Sequence, residues 1–173
     1  MLNPITNALT IDLEDYYMVS AFESVVRKEH WRKHESRIER NTHRVLDILD
    51  DADGDHGVKA TFFCLGWVGE RYPHLIREIE RRGHEIASHG YDHQLVYCMT
   101  PEQFRQDVLI SKQILEDASG KEVIGYRAPS YSITEKSLWA LEILGEEGYR
   151  YDSSIFPIHH DRYGIPTAPR FPF

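Results

Sequence analysis

The sequence predicts an α/β protein built on a parallel sheet, and three observations carry that expectation. Short β-prone runs alternate with amphipathic helical segments, glycines stop the helices, and chemistry-bearing polar residues follow the end of one strand after another. Such an alternation calls for right-handed crossovers between parallel strands. Sheets of this kind place their ligand sites at the carboxyl ends of the strands. The 173 residues read most simply as one domain. Only five strands are legible, whereas a closed eight-stranded barrel takes about 250 residues. The expected architecture is therefore a parallel (β/α) barrel that is incomplete at its C-terminus, with an unpaired edge and poor solubility in isolation.

The elements follow in order. Ala8–Ile11 is a short β-prone run that leads into the acidic cluster Asp12-Leu13-Glu14-Asp15. Residues 16–55 make a connection longer than a simple crossover needs. Its aromatics Tyr16, Tyr17, Phe22 and Trp31 line a groove or pack, with packing the default. Val45, Leu46, Ile48 and Leu49 have helical spacing, and the acidic run Asp50–Asp55 ends that helix. This run lacks the glutamate that a calcium loop requires at its twelfth position, where Thr61 stands. Lys59–Leu65 reads as a strand covered on both faces. Pro73–Arg82 is a helix with Leu75, Ile76 and Ile79 on one side, and His84–Ser88 is the third strand. Thr100-Pro101-Glu102-Gln103 is a capping-box start for a helix that carries Phe104, Val108 and Leu115 inward and stops at Gly120. Val123–Tyr126 is the fourth strand. Thr134 opens a helix presenting Leu138, Leu141 and Leu144, and Tyr149–Tyr151 is the fifth strand. Residues 155–173 are rich in proline and show no period.

Composition narrows the function. Twenty basic against twenty-eight acidic side chains give a net charge of −8, which disfavours a nucleic-acid partner. No apolar run reaches the 18 or so residues of a membrane span, and Met1-Leu2-Asn3-Pro4 lacks the features of a signal peptide, so the expected location is cytoplasmic. Cys64 and Cys98 sit in apolar stretches and read as reduced thiols.

The candidate chemistry lies at the strand ends: Asp12 and Glu14 after the first, His89 and His93 after the third, Arg127 after the fourth and Asp152 after the fifth. Two histidines four apart share one side of a helical turn and can reach one divalent ion. Asp12 and Glu14, two apart on an extended chain, share a face. Either they cap the next helix, or one binds a metal while its neighbour acts as a base.

Together, Thr10–Asp15, the pair His89 and His93, and Arg127-Ala128-Pro129-Ser130-Tyr131 resemble, in order, the first three motifs of the polysaccharide deacetylases of the NodB-homology, family 4 carbohydrate esterase type. The runs Asp12–Tyr17 and His160–Pro166 look closest to the branch associated with exosortase-linked exopolysaccharide clusters, which is similar to a peptidoglycan deacetylase and to metal-independent allantoinases. The resemblance implies a distorted (β/α) barrel that hydrolyses N-acetyl groups from N-acetylhexosamine units of a polysaccharide or oligosaccharide. It implies Zn2+ or another divalent metal on Glu14, His89 and His93, with Asp15 the second choice of carboxylate. Asp12 is then the general base, Arg127 its ion-pair partner, and the backbone N–H of Tyr131 an oxyanion donor. The late-motif histidine that protonates the amine in that family has no counterpart here, so His160, or His159, is the stand-in. Asp15, Trp67, Pro129 and Asp152 are the candidate substrate-binding residues. For Asp152, a turn-forming role before Ser153 is an equal expectation. Two other functions remain open: a metal-independent cyclic-amide hydrolase, and a glycan-binding remnant without catalysis.

Overall fold

A computed structural model describes residues 7–52 and 57–173. Five strands, β1 (Thr10–Leu13), β2 (Thr61–Cys64), β3 (Glu85–Ser88), β4 (Gly125–Tyr126) and β5 (Tyr151–Asp152), form one sheet in the order β1-β2-β3-β4-β5. Every pairing is parallel, with Asp12 level with Phe63 and Phe63 level with Ala87. Each strand thus pairs with the next in sequence, the order of a (β/α) barrel. A doubly wound sheet would reverse direction partway across. The expected fold class is borne out.

The helices are α1 (Ile38–Asp51), α2 (Gly66–Arg71), α3 (Pro73–Arg81), α4 (Pro101–Ser119) and α5 (Trp139–Glu146). The capping box that opens α4 forms as expected: the Gln103 N–H donates to Thr100 Oγ1 at 3.3 Å, and the Thr100 N–H donates to Gln103 Oε1 at 2.8 Å. Gly120 ends α4 at φ 72°, a left-handed conformation that costs glycine little. Helix α4 lies against α2, α3 and α5, and its Phe104 packs edge-on to Tyr126 and Trp139. Phe62, Leu65, Ile76, Ile79, Val108 and Leu115 are fully enclosed in the core between sheet and helices. Burying side chains of this size contributes about 1.5–3 kcal/mol each.

Several expected details differ. Ile48 is exposed and Ile38 and Thr42 are buried, because α1 begins earlier and presents a different stripe. Asp53–Asp55 of the acidic run lie outside the described residues. The segment after Thr134 starts as a single 3-10 turn, Glu135–Ser137, so Leu138 falls at the junction with α5 and is exposed. The fourth and fifth strands are shorter than their β-prone runs. Cys98 is exposed on a 3-10 turn, whereas Cys64 is buried as expected. Packing accounts for part of residues 16–37: Tyr17, Met18 and Trp31 are buried, while Tyr16 and Phe22 are exposed. No helix among the described residues is long and apolar enough to cross a membrane.

Candidate active site

The carboxyl edge of the sheet gathers residues that are far apart in the chain. Strand β1 delivers Asp12 to one side of this edge, and β4 delivers Arg127 from 115 positions further on. Arg127 Nη1 donates to Asp12 Oδ1 at 2.7 Å. The guanidinium is held on every side. Nη2 donates to Ser153 Oγ at 2.9 Å, Nε donates to the Ser153 carbonyl at 3.3 Å, and the group lies 4.0 Å over the Phe63 ring. With its side chain only 9% exposed, Arg127 has a fixed fork that fixes Asp12 in turn.

Beside this pair, ligand atoms of Glu14, His89 and His93 all lie within 4.8 Å of one another. The histidines do not meet across a helical turn, as their spacing suggested. They sit in an irregular loop after β3, where Gly90 has φ 75° and His93 has φ 61°. The loop is pinned from both sides. Its Gly90 and Tyr91 carbonyls accept the N–H groups of Gly66 and Trp67 at 2.8 Å each. The Tyr91 N–H donates to the Asp107 carboxylate of α4, 3.2 Å from both oxygens. A Cβ on Gly90 would stand 2.9 Å from Asp107 Oδ2, so the loop's close approach to α4 requires glycine here.

His89 Nδ1 donates to the Arg127 carbonyl at 2.8 Å, which leaves Nε2 for a ligand. His93 Nε2 lies 3.0 Å from Glu14 Oε2, a buried oxygen without a hydrogen-bond partner. Burial, with the negative charge of Asp12 nearby, pushes Glu14 up to about 7. Burial and the neighbouring His89 hold His93 down to about 3, and burial lowers His89. Two imidazoles converging with a carboxylate oxygen that no hydrogen bond engages are a donor set that fits a divalent cation.

Other expected residues fall elsewhere. Asp15 is buried with its carboxylate engaged, Oδ1 by the Tyr16 N–H at 3.1 Å and Oδ2 by the Arg37 N–H at 2.9 Å. It braces the start of α1 and is no part of the cluster. Trp67 packs edge-on against Trp31 with Arg71 over its ring, and so serves the core. Asp152 accepts the Ser154 N–H at 2.9 Å and the Ser154 hydroxyl at 2.5 Å, the turn that was its alternative reading. Pro129 is buried and touches the space above Gly90. The Tyr131 N–H is engaged by the Ala128 carbonyl at 3.0 Å and is not free for an oxyanion in this conformation. Ser130 and Tyr131 both have positive φ, 51° and 53°, at a cost of about 1–3 kcal/mol each. His160 stacks on Tyr163 at 4.0 Å and, with His159, lines a separate cavity of about 770 Å3. Neither Asp12 nor the Glu14, His89 and His93 cluster borders that cavity, because residues 155–166 fold back toward Thr134–Ser137.

Sequence reasoning missed Ser153, Asp107 and Ser20, and gave Ser130, inside the third motif, no role. Ser153 follows a strand end directly, a signal that could have found it. Asp107 lies inside a helix and Ser20 in an aperiodic segment, so no local pattern marks them.

A parallel sheet in barrel order, with an arginine-paired aspartate and a His-His-carboxylate cluster at its carboxyl edge, defines a barrel-type α/β protein with a candidate metal centre. The chain belongs to the polysaccharide deacetylase family, which it matches over residues 28–150. That stretch includes His89, His93, Arg127 and Tyr131, whereas Asp12 and Glu14 precede it. The chain is 33% identical over 102 residues to a peptidoglycan-N-acetylglucosamine deacetylase of Bacillus cereus, covering 58% of this chain and 36% of that protein. It is 34% identical over 102 residues to a peptidoglycan deacetylase of Helicobacter pylori, covering 59% and 33%. Among solved structures, a candidate polysaccharide deacetylase from Mycobacterium smegmatis superposes with a TM-score of 0.69 at 28% identity, covering 86% of this chain and 50% of that one. The match thus spans about a third of the length of these two curated relatives.

Proposed function

We propose that this centre removes N-acetyl groups from N-acetylhexosamine units of a glycan, with a divalent cation, zinc in the first place, held by Glu14, His89 and His93. The observation that carries the reading is the adjacency of two units. A cluster with ligand atoms within 4.8 Å stands beside an aspartate locked by a buried arginine. Membership of the family and the substrates named for the two curated relatives support the glycan and the acetyl group.

A cation bound there supplies the charge that acidifies a water and polarises an acyl oxygen. Asp12 takes the proton as the water attacks, a step worth about 100-fold or more. Arg127 keeps the Asp12 carboxylate aimed and prevents its rotation, being itself fixed by Ser153 and Phe63. The carbonyl of Arg127 orients His89, so one residue aligns both the base and a ligand. The presence of all three ligand groups in one cluster counts against the metal-independent amidase.

The test is acetate release from N-acetylated chito-oligosaccharides and peptidoglycan fragments by the full-length protein, wild type beside Asp12→Asn and His93→Ala. Loss in both variants supports the proposal. Release unchanged in Asp12→Asn overturns the assignment of the base. Saccharide binding without turnover in any form would establish the glycan-binding remnant instead.

A further inference from the structure

The two ligand histidines differ in what holds them. His89 leans on a backbone carbonyl. His93 Nδ1 lies 3.2 Å from the hydroxyl of Ser20, and that hydroxyl lies 3.2 Å from Ser130 Oγ. Ser20 opens a 3-10 turn, Ser20–Phe22, in the long connection between β1 and α1, outside the stretch 28–150 that matches the family. Ser130 stands at φ 51° in the segment that follows β4.

We propose that Ser20 is the positioning residue of the metal centre, and that it holds His93 in the tautomer and orientation that present Nε2 to the cation. The inference rests on the metal reading given above. A hydroxyl donates one hydrogen and can accept at either of two lone pairs. With Nδ1–H donating to Ser20 Oγ, the Ser20 hydrogen is directed to Ser130 Oγ, and the Nε2 lone pair faces the Glu14 carboxylate 3.0 Å away. The three-residue chain therefore ties the connection after β1, the loop after β3 and the segment after β4 at one ligand. His93 is in a left-handed conformation without glycine's freedom, a strained backbone that the surrounding structure must hold. The left-handed turn at Ser130 acquires a use, since it brings Oγ within reach of Ser20. Partners of this outer kind are typically worth about 10–100-fold in metal affinity.

The experiment is zinc affinity by chelator competition in the full-length protein for wild type, Ser20→Ala and Ser20→Thr, with thermal melts to confirm folding. Nitrogen-15 NMR of the histidines is run on the zinc-loaded forms. Ser20→Ala is expected to bind zinc about tenfold more weakly, to shift the Nδ1–H signal of His93 and to speed its exchange with solvent. Ser20→Thr, which keeps the hydroxyl, is expected to return to within about threefold of wild type. Equal affinity in wild type and Ser20→Ala, or an equal loss in Ala and Thr variants that remain folded, overturns the role of the hydroxyl and leaves the metal site standing. Absence of zinc from the folded wild type overturns the metal reading and this inference with it.

Discussion

Acidification is expected to weaken metal binding at Glu14, His89 and His93 with the slope of a single proton. Glu14 is pushed up to about 7 by burial and by the negative charge of Asp12, whereas His93 is held down to about 3 by burial and by His89. Burial also lowers His89. Between pH 5 and 7 His93 is therefore already neutral, burial favours the neutral form of His89 as well, and the proton a cation chiefly displaces is the one on Glu14. Affinity should fall about tenfold per pH unit below 7. At pH 5 it is then about 100-fold below its plateau, equivalent to about 2.7 kcal/mol at 1.36 kcal/mol per unit. Histidines titrating near 6.5, as they do in water, would add their own protons and steepen the slope toward three. The assay is chelator competition for zinc in the full-length protein from pH 5 to 8, with calorimetry in buffers of different ionisation enthalpy to count released protons. A slope of two or more below pH 6, or a plateau already reached at pH 5, refutes the reasoning. Stability of the metal-free protein carries the same two groups with opposite signs. The raised Glu14 contributes stability that is full below 4.5 and lost as pH rises through about 7, and the depressed His93 contributes stability present above 6.5 and lost as pH falls toward 3. From pH 4.5 to 6.5 Glu14 and His93 cancel, so the lowered His89 sets the sign and the centre's contribution rises with pH there.

Other outcomes follow from the same contacts. Asp12→Asn should lower deacetylation at least 100-fold while zinc stoichiometry stays at one. It should cost about 1–2 kcal/mol in denaturant unfolding, because Asp12 is a third exposed and Arg127 keeps its bonds to Ser153. Burial pushes Asp107 up to about 7, so its charged form becomes a burden as pH rises from 3.8 through 7. Asp107→Asn retains an acceptor for the Tyr91 N–H and should raise the melting temperature at pH 8, by on the order of 1–2 kcal/mol of stability, with little change near pH 4. A gain as large at pH 4 would rule out the buried charge as its cause. His160→Ala should leave the rate of acetate release unchanged, since His160 stacks on Tyr163 in a cavity apart from Asp12. A fall of tenfold or more would place it in the reaction.

The alternation of strand and helix was legible because it depends on local terms. Thr100 and Gln103 satisfy each other's backbone N–H groups within four residues, and Thr61–Cys64 is apolar on both faces whatever lies beyond it. The strand-end rule placed Asp12, Glu14, His89, His93 and Arg127 at one edge, since parallel strands with helical returns carry all their carboxyl ends to the same side. Motif spacing could not say which carboxylate faces the histidines. Asp15 and Glu14 are neighbours in the chain, and only the position of Arg37 at the start of α1 takes Asp15 away to brace that helix.

What the sequence determined by itself is the class of fold, the polarity of its sheet and the edge where chemistry gathers, because periodicity, capping and chain direction are properties of short segments. Tertiary structure alone decided the rest. It turned His93 toward Glu14 through a left-handed loop, brought Ser20 and Ser130 together across 110 residues, drew Ser153 under Arg127 and sent His160 to a separate cavity. These depend on contacts between segments whose separation in the chain carries no local signal, and they are fixed only when every buried donor and acceptor finds its partner at once.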